Sequence, residues 1–196
     1  MSLTGSCYAG LTTLKTYLDI DGDDTTYDNV LNDIIPQIGE MIESFCGRVF
    51  AYKYNSEKVD IKNAFNDTFR VKQFPIQSVV ALTDNDTLKA STEYFVYEDT
   101  GVIKSKNIQT LKSTSYRGYY WTEGRQMVDI DYYSGYLEIP QGIQLAAKEL
   151  AATIFYGRKY SGFKSGKIGG FSFSVFADEI PPRVRGLLMP YRRCEI

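Results

Sequence analysis

Two apolar stripes of helical period stand far apart in this chain, and the residues between them read at a period of two. Val30, Leu31, Ile34, Ile35, Ile38, Met41, Ile42 and Phe45 share one face at three- and four-residue spacing, which predicts a helix over about 26–46. Ile143, Ala147, Leu150, Ala151, Ile154 and Phe155 predict a second over about 141–160, opened by Pro140 at a tolerated first position. A chain in this order must close one helical layer around an inserted run of strands. The fold class that follows is α+β: a small helical bundle, with helices near 11–19, 26–46 and 141–160, and a β-rich insertion over about 49–138. The domain division expected is 1–48 plus 139–196 for the helical core and C-terminal segment, and 49–138 for the insertion.

Local signals set the element ends. Leu11, Leu14, Tyr17 and Leu18 predict a first short helix, stopped by Asp19-Ile20-Asp21-Gly22-Asp23-Asp24. Thr25 with Asp28 has the capping-box pattern, and Gly47 is a natural stop after the last turn. Pro36 lies inside the long stripe. The stripe continues in phase across it, which predicts a kink rather than an end.

In the middle, Thr68–Lys72, Ser78–Thr83, Glu93–Tyr97, Val102–Lys104 and Met127–Tyr133 are short runs rich in aromatic and β-branched residues. Asp84-Asn85-Asp86 and Asp99-Thr100-Gly101 mark turns, the second between two strands as in a hairpin. Residues 105–126 are polar and glycine-punctuated, a long hairpin or mobile loop. Beyond the last long helix, Gly162, Gly166, Gly169 and Gly170 mark a flexible segment. Phe171–Phe176 alternates like one more strand. Ile180-Pro181-Pro182 precedes a short helix, Arg183 to Leu188, and a basic tail, Arg192-Arg193.

Composition narrows the chemistry. At 196 residues and 22.3 kDa the chain can build a real core without staples. Histidine is absent, which removes Ser-His-Asp and Cys-His catalysis and every histidine-ligated zinc site. Cys7, Cys46 and Cys194 are isolated and odd in number, so free thiols in a reducing compartment are the simplest reading, with Cys46 a small core residue. The net charge is −2, against a dedicated nucleic-acid binder. The longest apolar runs are a few residues, too short for a membrane span. Met1 to Gly5 lack a charged and apolar secretory signal.

Three sites invite sharper readings. An EF-hand loop starting at Asp19 needs glycine sixth and glutamate twelfth; Asp24 and Val30 stand there, which favours a solvated turn. Gly157–Ser165 nearly matches a phosphate loop, but Phe163 replaces the lysine and a helix precedes it, so the match is rejected. Tyr116-Arg117-Gly118-Tyr119-Tyr120-Trp121 offers rings for stacking sugars or bases, yet only Arg117 and Arg125 supply charge nearby; hairpin packing or a protein interface is favoured. Acids at Glu40 and Glu43, and at Asp129 and Asp131, leave carboxylate chemistry formally open. No cofactor or metal site is expected.

Four phrases, in order, resemble those of bacteriophage head–tail connector (adaptor, head-completion) proteins in their longer form. They are Met41-Ile42-Glu43-Ser44-Phe45-Cys46-Gly47-Arg48-Val49-Phe50, Phe74-Pro75-Ile76-Gln77-Ser78-Val79, Asp131-Tyr132-Tyr133-Ser134-Gly135-Tyr136-Leu137-Glu138-Ile139-Pro140, and Ile180-Pro181-Pro182 through Pro190-Tyr191-Arg192-Arg193. The resemblance implies a structural virion protein and no enzyme. It implies a homo-oligomeric ring below the portal that extends the DNA channel and meets head-closure or tail proteins, in the virion neck and, during assembly, the host cytoplasm. DNA would pass without sequence-specific binding, and no membrane is involved. The competing function is a monomeric β-rich ligand-binding module using the cluster near Trp121. Four arginines within eleven residues, Arg183, Arg185, Arg192 and Arg193, are the expected portal contact, since guanidinium groups pair bidentately with carboxylates.

Overall fold

The structure, a computed structural model, describes residues 8–63, 65–106, 108–110, 117–158, 165–168, 171–174 and 180–193. The expectations that rest on Cys7, Cys194, Tyr116, Gly162, Gly169, Gly170 and Val175-Phe176 lie outside them. The fold is α+β with a β-rich middle, as the change of period predicts. Two compact units result: Met1–Arg48 with Glu138–Ile196, and Val49–Leu137.

The first unit holds α1 (Leu11–Tyr17), α2 (Asp28–Cys46), α3 (Gln141–Gly157) and α4 (Pro182–Leu188). The long stripe becomes the buried face of α2, where Leu31 and Ile42 are fully enclosed. Each such side chain contributes roughly 1.5–3 kcal/mol by leaving water. Pro36 stays inside the helix and does not end it. Gly47 does end it, in the left-handed conformation at φ 68°, with its N–H bonded to the Glu43 carbonyl at 2.8 Å. The buried face of α3 includes Ala146, Ala147 and Ala151, small enough for close approach of α2 and α4. Tyr27 meets Phe155 edge-on at 5.3 Å.

The start of α2 corrects the sequence reading. Tyr27, not Thr25, is the residue before the first turn, and no side chain caps the helix. Asp28 is taken by Lys15 of α1, 2.6 Å from its Oδ1. That ammonium is buried, and it also donates to the Gly22 carbonyl at 3.1 Å. A tertiary ion pair has displaced the local box.

The second unit is built from antiparallel strands. β1 (Lys53–Ile61), β9 (Gly124–Ser134), β3 (Ile76–Asp84) and β4 (Thr87–Leu88) form a four-stranded sheet in the order β1-β9-β3-β4. β2 (Thr68–Arg70), β6 (Val102–Ser105) and β5 (Tyr94–Tyr97) form a second, in the order β2-β6-β5. β7 (Ile108–Thr110) pairs with β8 (Arg117–Tyr119) inside the polar 105–126 stretch, as a hairpin. Asn85 and Asp86 both take positive φ, 48° and 60°, which is the turn geometry that lets β3 fold back onto β4. Gly101 makes the β5–β6 turn at φ 68°.

The longest strand missed from sequence is β1. Its run Lys-Tyr-Asn-Ser-Glu-Lys-Val-Asp-Ile is too polar to signal a core strand, but it needs only one apolar side because it is a sheet edge. Glu57 on this strand accepts from the Tyr132 hydroxyl at 2.6 Å and from the Lys72 N–H at 2.9 Å. The core below is Ile61, Val71, Leu82, Ile103, Val128 and Ile130, with Tyr132 and Trp121 closing it.

The second strand of the next pair falls in the run Phe171–Phe176 that alternates like a strand. β10 (Ser165–Ile168) and β11 (Phe171–Ser174) pair as an antiparallel ribbon.

Candidate assembly surface

The four C-terminal arginines sit on a segment that is anchored rather than loose. α4 begins at Pro182, whose missing N–H is harmless in a first turn. Val184 and Leu188 are buried, and α4 packs on α3 and α2. After it, the Arg193 N–H donates to the Cys46 carbonyl at 2.8 Å, so the tail closes on the last turn of α2. The C-terminal end of a helix carries partial negative charge, which favours cations there.

The arginines do not converge on a single point. Arg183 Nε lies 2.9 Å from Glu149 Oε1 of α3, with its own side chain 80% exposed. Such surface pairs are worth about 0–1 kcal/mol, so most of its charge stays available to a partner. Arg185 lines an open cleft of about 580 Å³ beside Glu40, Met41 and Phe45 of α2. Arg192 sits 5.6 Å from the Phe45 ring centre. Arg193 is half-buried.

Cys46 is where these pieces meet. Its Sγ is 4.0 Å from the Leu188 carbonyl and the side chain is fully enclosed. Burial pushes the thiol up to about 11, against the lowering influence of Arg48 and Arg192. A thiol held that high is inert, so the core reading of Cys46 holds.

The alternative centred on Trp121 gains no support. Trp121 is 3% exposed, donates Nε1–H to the Asp67 carbonyl at 3.0 Å and meets Phe69 edge-on at 5.0 Å. A ring sealed in this way cannot stack a ligand. Tyr120 of the same stretch is half-buried and meets the exposed Phe65 edge-on at 5.7 Å. On β1 and β9, Tyr52 stacks on Tyr133 at 5.2 Å, and Tyr54 meets Tyr133 edge-on at 5.5 Å. Tyr52 and Tyr54 are each 46% exposed. The β1–β9 register places Tyr54 opposite Tyr133, and Tyr52 just before β1 reaches the same ring, so no local phrase could have flagged the group.

Of the acids singled out from sequence, Glu40 is exposed at the open cleft and the other three are held in structural contacts. Glu43 accepts from the Tyr8 hydroxyl at 2.5 Å. Asp129 pairs across strands with Lys58 at 3.3 Å. The hydrogen bond that Tyr54 makes to Asp131 is the main cause raising the Tyr54 pKa. In the acidic turn, Asp21 Oδ1 accepts from the Asp23 N–H and Asp24 Oδ1 from the Thr26 N–H, so the carboxylates brace their own loop. Hydrogen bonding by Thr26 lowers the Asp24 pKa. Among the described residues, no group of three or more acids and cysteines is placed to hold a metal ion. No helix there is long and apolar enough to cross a membrane.

Residues 10–194 match the head completion protein family, a span that contains all four ordered phrases. The chain belongs to that family. No curated protein matches the sequence. The fold is similar to a chain in the virion of a native gene transfer agent particle, at 16% identity and a TM-score of 0.59. It is also similar to chains in the neck of an empty gene transfer agent particle computed with C6 symmetry (16%, 0.55) and of a native one with C12 symmetry (15%, 0.51). Each match covers all of this chain and 94% of the other. At these identities the likeness is one of fold.

Proposed function

We propose that this head completion protein is a structural component of the head–tail neck of a tailed phage or prophage. It assembles as a homo-oligomeric ring below the portal, extends the DNA channel and joins the head to head-closure or tail proteins. The family match across residues 10–194 carries this reading. The whole-length likeness to chains from particle necks, computed with sixfold and twelvefold symmetry, supports the ring. The protein catalyses no reaction in this role. It works in the virion neck and is present in the host cytoplasm during assembly.

The physical character of the chain suits that work. A net charge of −2 lets DNA slide past, because every phosphate neutralised by the wall would add affinity and drag. In this reading the helical unit is the connector core and the β unit its insertion. The exposed guanidinium groups of Arg183, Arg185 and Arg192, with Arg193 beside them, form the contact with portal carboxylates. Electron microscopy of purified particles tests the proposal. Density for this chain is expected as a ring at the portal–tail junction, and particles lacking it there overturn the assignment.

A further inference from the structure

A ring made by rotation uses a heterologous interface, so each copy must carry two different surfaces that fit one another. The β unit carries such a pair, one at each end of β9.

At the Tyr133 end the sheet presents a socket. Side chains alternate across a strand, and the pairing of β1, β9 and β3 sets Tyr133 between Tyr54 and Ser78 on one face, with Asp131 between Ser56 and Ala81 in the next row. This face is open to solvent: Tyr54, Ser56 and Ser78 are exposed, and neither Asp131 nor Tyr133 is buried. Tyr52 joins it by stacking on the Tyr133 ring. The other charges of the face are already matched. Lys58 pairs with Asp129 at 3.3 Å, and Asp60 accepts the Gln126 N–H at 2.8 Å. Lys53, between the two tyrosines, pairs with Ser134 and so alternates to the opposite face. Asp131 is different. Its strand neighbours Ser56 and Ala81 are small and uncharged, and its hydrogen bond comes from the Tyr54 hydroxyl. No lysine or arginine among the described residues pairs with it. A carboxylate set among exposed tyrosine rings suits a guanidinium, which bonds carboxylate oxygens through its N–H fork and lays its plane on a ring.

At the other end of β9 the backbone is shaped to present one. Val59 faces Val128 but Ile61 faces Gly124, so Asp60 of β1 stands opposite three residues, Arg125, Gln126 and Met127. Bulges of this kind re-aim a side chain. This one is held from both sides: Asp60 Oδ1 accepts the Gln126 N–H, and the Met127 carbonyl accepts the Asn85 N–H at 2.7 Å. Gln126 takes φ 52°, unusual outside glycine, and such strain persists only where the surroundings over-determine it. The bulge leaves Arg125 exposed, with no ion pair or ring contact among the described residues. Arg70, by contrast, lies 5.9 Å from the Phe74 ring centre. Exposed charges of both signs, Lys62, Asp86 and Glu123, stand on the flanking segments, so the match is one guanidinium to one carboxylate rather than one field to another.

Six residues along one strand, roughly 20 Å, separate Arg125 from the Asp131 of its own copy, so the pair closes only between copies. We propose that the Arg125 guanidinium of each copy enters the Tyr52–Tyr54–Tyr133 socket of the next copy in the ring and pairs there with Asp131. This contact rests on the ring reading above and gives the ring its head-to-tail polarity.

Cross-linking within assembled particles tests it. Glu123, two residues before Arg125, and Ser56, opposite Asp131, are both exposed and lie outside the pair itself. Chains carrying Glu123→Cys, Ser56→Cys or both, all with Cys7 and Cys194 changed to serine, are assembled and treated with a short bis-maleimide. The chain with both changes should give a ladder of oligomers, and a mixture of the two single variants should give a dimer that neither gives alone. Rings of normal appearance in which both cysteines take a monofunctional maleimide, with no ladder, overturn the contact and leave the ring. Cross-links to a different protein overturn a second copy as the occupant. Particles of the unmodified chain without a ring overturn both readings. Charge exchange gives a second readout in the complete chain. Arg125→Asp and Asp131→Arg should each lower ring occupancy on heads several-fold, with near-native melts of the isolated chains, and the double variant should restore occupancy. Unchanged occupancy in both single variants would count against the contact.

Discussion

A methyl group placed on Gly135 would sit 2.3 Å from the carbonyl oxygen of Ala51. The same position has φ 98°, which L side chains rarely adopt, so neither space nor backbone admits a side chain. The Tyr136 N–H, one residue on, bonds the Phe50 carbonyl at 2.8 Å. The glycine of the third family phrase is thus required by the close passage of two backbones.

Gly135→Ala should therefore destabilise the protein by about 3 kcal/mol or more, lowering the midpoint of thermal unfolding by roughly 6–12 °C. Gly186 is the contrast: it lies inside α4 with open space around its Cα. Gly186→Ala should stabilise by about 0.5–1 kcal/mol. Circular dichroism melts of both variants check the pair, and equal effects would refute the steric argument.

Lys15→Met removes the buried partner of Asp28 and the donor to Gly22. Leaving a partly buried carboxylate unpaired should cost about 2–3 kcal/mol, less than for a fully buried pair because Asp28 is 24% exposed. Asp28→Asn should cost less, since Lys15 keeps the Gly22 carbonyl. Denaturant unfolding of the two single variants and the double variant measures the coupling.

Cys46 predicts an alkaline limb of stability. Its folded thiol is raised above the ordinary 9.0 to about 11, so its contribution is intact below pH 9 and is lost as pH rises through about 11. The full loss is on the order of 2–3 kcal/mol. Melting curves from pH 8 to 11.5 should fall more steeply for the native chain than for Cys46→Ala, which shares every other titrating group. Parallel curves would refute the assignment.

The tail can be tested without truncation. Tyr191 packs close to Gly142, where an added Cβ would meet its hydroxyl at 3.0 Å, so deleting from Pro190 onward would also remove packing. Changing Arg183, Arg185, Arg192 and Arg193 to glutamine keeps the N–H bond of position 193 to Cys46, removes the charge and sets no carboxylate against Glu149. The variant should fold with a near-native melt and fail to co-sediment with portal-bearing heads. Normal attachment would exclude these arginines as the portal contact.

Trp121 is the single tryptophan, which makes its burial easy to read. Acrylamide should quench its emission weakly in the folded protein and strongly after denaturation, and titration with oligosaccharides or oligonucleotides should leave it unchanged. Saturable quenching would revive a binding role for this cluster.

The sequence by itself determined the order of elements and the family. Helical period at Val30–Phe45 and Ile143–Phe155, the stop at Gly47 and the turns at Asn85-Asp86 and Gly101 are local properties. They depend on spacing within a turn or on which residues tolerate positive φ, and a chain carries such information in any context. What only the tertiary structure decided involves partners distant in sequence. Thr25 and Asp28 form a capping box on paper, but Lys15 arrives from another helix and a charged partner outcompetes the cap. β1 is polar along its length and becomes a strand because β9 offers an unpaired edge. Trp121 looks like a surface ring until Phe69 and the Asp67 carbonyl close over it, while Tyr54 meets Tyr133 through strand register alone. In each instance the deciding energy is a long-range contact, and no window along the sequence contains both of its halves.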